Sequence, residues 1–149
     1  DLEGDALKEA QQEATAVADC LKRHGWRFAS HSYTHNGFFK TGKITMDELI
    51  YDTERWEKYI QPVLGATNIY ISPFGVHFSA DDERYRYLVE KGFQIYCPVD
   101  SSLRILDRGD NIVMPRVAID GLALWKKPKF MSTYYFNVEE IRNSLRPEI

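Results

Sequence analysis

The chain has little cysteine, no long apolar run and no dense block of one charge, and each absence removes a class of protein. Cys20 and Cys97 are the two cysteines in 149 residues, far apart and in no Cys-x-x-Cys pair. Neither a zinc knuckle nor a dithiol redox centre is therefore written into the sequence, and two buried free thiols are expected. No apolar stretch approaches the ~20 residues that a membrane-spanning helix needs. Basic and acidic residues nearly balance, 19 against 22, for a formal charge of -3. The densest basic stretch, Lys126-Lys127-Pro128-Lys129, is too short to track a phosphate backbone, so nucleic acid is not an expected partner. Repeats and low-complexity linkers are missing too. With 44% hydrophobic and 13% aromatic residues, the expectation is a single folded domain over 1–149.

What is present is an alternation of helical and extended patterns. Leu7, Ala10, Ala14, Val17 and Leu21 recur at steps of three and four, which predicts a first helix ending at Gly25, with His24 placed at its C-terminus where a cation meets the helix dipole. A short strand over 26–30 follows. Thr45 and Glu48 stand at capping-box spacing and open a second helix, with Leu49, Trp56, Tyr59 and Ile60 as its buried stripe before Pro62. A strand over 68–72 comes next. Asp81 or Asp82 caps a third helix that runs to Lys91 and stops at Gly92, followed by a strand over 94–97. A strand over 111–115 and a final helix, opened by Asn137 with Glu140 in its first turn, complete the pass. From residue 26 the order is βαβαβ, that of a parallel sheet covered by helices, so the expected fold class is α/β.

The segment that carries chemistry is His31-Ser32-Tyr33-Thr34-His35, delivered by the strand end Trp26-Arg27-Phe28-Ala29-Ser30. Imidazole is a common ligand of zinc and its neighbours, and a spacing of four on one turn lets both rings face a single ion. Such a pair also occurs by chance on helix surfaces, so a structural role stays open at this point. His24 and His77 lack that spacing. A zinc protease would place a glutamate directly after the first histidine, where this chain has Ser32, so that class is not expected.

The pattern resembles the H-[ST]-x-x-H motif of the polysaccharide deacetylases of carbohydrate esterase family 4. Downstream, Ile69-Tyr70-Ile71-Ser72-Pro73-Phe74-Gly75 is similar to the strand and Arg-x-Pro-Tyr-Gly turn of that family, with Pro73 and Gly75 matching, Ile71 in place of the arginine and Phe74 in place of the tyrosine. The stretch 96–102 looks like the family's Asp-bearing fourth region, without its Asp-Trp pair. The strand over 111–116 lies where the Leu-x-His motif is expected and puts Arg116 at the position of the general-acid histidine.

The resemblance implies a distorted (β/α) barrel and metal-dependent removal of N- or O-acetyl groups from a carbohydrate polymer, at the cell envelope or outside the cell. It implies His31 and His35 as ligands of a divalent metal, zinc or alternatively cobalt or nickel, and the backbone N–H near Phe74 as oxyanion donor. Tyr33, Phe38, Phe39 and Phe74 are candidates to line a sugar cleft, with loop packing the stronger expectation for Phe38 and Phe39. Ser30 and Thr34 are candidates to hydrogen-bond around the ligands. The family's opening Asp-Asp motif, source of the base and the third ligand, does not precede His31. The chain is accordingly expected to be an inactive later portion of such a domain, its first strands missing, that self-associates or pairs with an N-terminal segment. A glycan-binding relative with impaired catalysis is the alternative, suggested by Ile71 and Arg116.

Overall fold

The computed structural model describes residues 2–35, 37–100 and 104–145. The chain divides into two compact units, Asp1–Arg116 and Val117–Ile149.

In the first unit, α1 (Gly4–Arg23) ends at His24, whose ring Nδ1 lies 2.8 Å from the Cys20 carbonyl and closes the last turn as the sequence predicts. The helix forms where its periodicity places it, yet much of its apolar stripe stays exposed, Val17 included, and Ala18 is its buried residue. Cys20 is exposed as well, which corrects the expectation of two buried thiols; Cys97 is buried, and both are free.

The extended segment after α1 joins the sheet through one residue instead of five. Ser30 accepts from Ile71 N–H (2.7 Å) and donates to the Ile69 carbonyl (2.9 Å), forming a parallel bridge to Tyr70. The upstream groups are used elsewhere. Trp26 N–H caps α1 at the Leu21 carbonyl, and the Phe28 carbonyl accepts the Thr67 hydroxyl at 2.8 Å. A four-residue helix absent from the sequence reading, α2 (Gly37–Lys40), buries Phe39 and leaves Phe38 exposed.

Helix α3 (Met46–Tyr59) opens with the expected capping box: Glu48 N–H donates to Thr45 Oγ1, and Thr45 N–H donates to the Glu48 carboxylate. It ends before Pro62, but the chain re-enters helix at once as α4 (Gln61–Leu64), because proline is tolerated in a first turn, where its missing N–H has no partner to lose. Strand β1 (Ile69–Ile71) leads into a 3₁₀ turn at Pro73–Gly75. Helix α5 (Glu83–Glu90) is capped by Asp82, whose carboxylate accepts Arg84 N–H and grips the Arg84 guanidinium, which holds its pKa below the usual range. Strand β2 (Ile95–Cys97) follows, then a hairpin of β3 (Leu106–Asp107) and β4 (Ile112–Val113) that the sequence reading does not contain on its first arm.

The strand order is β1-β2-β4-β3, with β1, β2 and β4 parallel and β3 antiparallel to β4. The α/β class is thus present as a small mixed sheet; no barrel is seen among the described residues. Tyr70 and Tyr96, both fully buried, stack 6.2 Å apart, and Phe93, Phe78 and Tyr85 pack their rings on them. Tyr70 is a strand residue in the core, as its alternation with Ile69 and Ile71 predicts.

The second unit is helical. Asp120 caps α6 (Gly121–Lys126) by accepting Ala123 N–H at 2.7 Å, and α7 (Pro128–Tyr134) follows with proline in its first turn. Asn137 accepts Glu140 N–H to open α8 (Val138–Leu145), at the predicted position.

Candidate functional site

In a parallel sheet all strands end at one edge, and loops leaving that edge collect functional side chains. Here Ser30, Ile71, Cys97 and Val113 are the last paired residues before, respectively, His31–His35, the 72–76 turn, the 98–100 segment and the approach to Arg116. A second parallel bridge, Val99 to Arg116, prolongs that edge. The sequence-chosen residues His31, His35 and Phe74 therefore come from loops at the carboxyl edge, and Arg116 from the bridge that prolongs it.

The two imidazoles are brought together, ring centroids 4.7 Å apart, and both side chains are exposed. His31 Nδ1 lies 2.7 Å from the Ile71 carbonyl. A carbonyl only accepts, so the proton sits on Nδ1 and the Nε2 lone pair of the neutral ring is left to face a ligand. This is how metal-binding histidines are commonly oriented. The contact comes from the backbone of Ile71, so the absence of arginine there does not remove it. His35 N–H donates to Ser32 Oγ at 3.0 Å, and its ring stands 4.6 Å from that of Phe74.

The backbone of these turns is held in an uncommon conformation. Among the described residues, the non-glycine positions with positive φ are Ser32 (65°), His35 (43°) and Phe74 (51°), all in the two turns that flank the imidazoles. Each costs about 1–2 kcal/mol for an L-residue, and such strain persists where surrounding bonds impose it. One imposing group is Asp52, in the middle of α3 and 1% exposed. Its carboxylate accepts Tyr33 N–H (3.0 Å), Thr34 N–H (2.8 Å) and the Thr34 hydroxyl (2.7 Å). The sequence reading missed it. The available signal was an aspartate three residues after Leu49 and four before Trp56, on the buried stripe of its helix, where a charged group needs polar partners.

The second turn is tied down from the other side. Arg116 Nε donates to the Cys97 carbonyl (3.1 Å) and Nη2 to the Ser72 carbonyl (2.7 Å), so its guanidinium clamps the ends of β1 and β2. Tyr96 Oη accepts Phe78 N–H (3.1 Å) and donates to the Val76 carbonyl (2.7 Å); burial pushes its pKa up to about 12. Gly75, at φ 75°, has no room for a side chain, because a Cβ there would lie 2.6 Å from Val99 Cβ. Burial raises the Cys97 thiol pKa, with Arg116 opposing, which makes it a poor nucleophile.

Of the aromatic candidates, Phe74 is half-exposed beside His35, Tyr33 stacks on Tyr59 at 5.5 Å, and Phe39 belongs to the core. Ser30 is buried in the sheet bridge, and Thr34 is bound to Asp52. Asp100 donates its N–H to the Arg116 carbonyl, and Ser101 and Ser102 lie outside the described residues.

As a metal site this donor set fits in part. Two imidazoles suit zinc, cobalt or nickel, but no cluster of three or more histidine, cysteine or acidic side chains is present among the described residues. Comparison of the chain with protein-family models, with curated proteins and with solved structures finds no match.

Proposed function

We propose that the chain carries part of the metal site of a carbohydrate deacetylase of barrel type, acting on an acetylated polymer at the cell envelope or outside the cell. The observation that carries this reading is the imidazole pair itself: two exposed rings 4.7 Å apart, on a strained turn, with His31 Nδ1 committed to the Ile71 carbonyl. A divalent ion of the zinc, cobalt or nickel class, when bound, supplies polarisation of the acetyl carbonyl and acidification of a water. His31 and His35 are its protein ligands in this chain. The backbone N–H of Phe74 serves as oxyanion donor, a contribution typically worth ~3 kcal/mol where one donor is removed. Arg116 shapes the turn that presents Phe74. The third protein ligand and the general base are carboxylates from beyond the described site.

A glycan-binding role without catalysis is the second reading, and one observation favours it. The guanidinium at the expected general-acid position is engaged by two carbonyls, and arginine holds its proton too tightly to donate it near neutrality.

Elemental mass spectrometry of the chain extended upstream by a segment that carries the Asp-Asp motif, and of its His31→Ala/His35→Ala variant, tests both readings, with acetate release from an acetylated chitooligosaccharide as second readout. Stoichiometric metal that disappears in the variant is the expected result. Acetate release beside it establishes the deacetylase; metal without acetate favours the binding role. Absence of metal from the unaltered chain returns the histidines to a structural role.

A further inference from the structure

We propose that Asp52 is the positioning residue that sets the affinity of the His31/His35 pair for a divalent ion, acting through the backbone of the turn between them. The inference rests on the metal reading of that pair and extends it to a residue that touches neither imidazole.

Both carboxylate oxygens are used. Oδ2 accepts Tyr33 N–H, and Oδ1 accepts Thr34 N–H and the Thr34 hydroxyl, across 18 and 19 residues of chain. Tyr33 and Thr34 are the inner residues of the motif, and the residues on either side, Ser32 and His35, are those in left-handed conformation. A short turn with two such residues relaxes unless something holds its inner amides. Asp52 holds them in a water-poor setting, where hydrogen bonds to a charged acceptor are at their strongest. His31 has a separate anchor in the Ile71 carbonyl, so the position of His35 relative to His31 is what the carboxylate governs. Loss of a contact that orients metal ligands typically costs about 10–100-fold in metal affinity.

The test is a Co²⁺ titration followed by visible absorption, beside amide hydrogen exchange of the metal-free chain, on the unaltered protein and on Asp52→Asn, Thr34→Val and Thr34→Ser. Asp52→Asn is expected to weaken Co²⁺ binding by about tenfold or more. It should also speed exchange at Tyr33 and Thr34 while the α3 amides keep their protection. Thr34→Val, which deletes the hydroxyl and keeps the shape, should weaken binding less, and Thr34→Ser should restore it; a purely structural role would not track the hydroxyl in this way. Folded Asp52→Asn with unaltered affinity overturns the proposal. If Asp52→Asn does not fold, equal affinity of Thr34→Val and the unaltered chain overturns it. If the unaltered chain shows no histidine-dependent Co²⁺ binding, the metal reading falls and this proposal with it, whereas binding insensitive to every variant removes this proposal alone.

Discussion

The two ends of the sheet are built on different principles. At the amino end lies a groove of about 560 Å³ bordered by Lys22, Trp26, Arg27, Trp56 and Lys91. Its lysines are paired with neighbours, Lys22 with Asp19 and Lys91 with Glu57, and its backbone neighbours follow ordinary geometry apart from turn glycines. The carboxyl end has two exposed imidazoles, three non-glycine residues in left-handed conformation, a buried aspartate and an arginine clamp. The groove alone would draw attention to the amino end. Strain maintained by specific bonds chooses the other, because a fold that needs only to be stable has no reason to keep it.

The largest expected effect lies in the strained turns. Gly75→Ala places a Cβ 2.6 Å from Val99 Cβ, an atom that cannot move without its backbone, and does so at φ 75°. Overpacking and left-handed strain together should cost about 3 kcal/mol, read as a shift of the urea midpoint. In a Val99→Gly background the clash is gone and the cost should fall to about 1 kcal/mol, the strain alone. Equal costs in the two backgrounds would show that the turn yields freely, and the contrast between the sheet ends would weaken.

A smaller effect separates strain from packing. Phe74 sits at φ 51° and is half-exposed, so Phe74→Gly should be more stable than Phe74→Ala by about 1 kcal/mol, the reverse of the order in a helix. Thermal or urea melts of the two variants measure it. Alanine equal to or above glycine would mean that the turn relaxes out of the left-handed region once the ring is removed.

These positions also mark where the sequence is legible. Local signals carried through: the Thr45–Glu48 capping box, the Asp82 and Asn137 caps, and the periodicities of β1, β2 and the main helices all appear at or near their predicted places. The caps are contacts between residues a few positions apart, and the periodicities are patterns within single segments. What failed depends on partners distant in sequence. The strand over 26–30 shrinks to one bridge because its backbone groups serve α1 and Thr67, and the hairpin arm β3 exists only by pairing with β4. The histidine pair was visible as a motif, and the structure brings its rings together. Asp52 was not visible as its support, since nothing in residues 31–35 announces which helix their amides will meet.

The smallest expected effect belongs to the amino-end groove. Trp26 is 63% exposed, and no side-chain hydrogen bond of Arg27 is seen among the described residues. Trp26→Ala and Arg27→Ala should each change stability by no more than about 0.5 kcal/mol, the usual range for surface positions. Co²⁺ affinity should be unchanged within error, since neither residue contacts the turns that carry the imidazoles. A loss of affinity in either variant would connect the two ends through β1, whose first residues border the groove and whose last carbonyl orients His31. The sheet would then act as one device, and the groove would have to be read as part of the site and not as its counterpart.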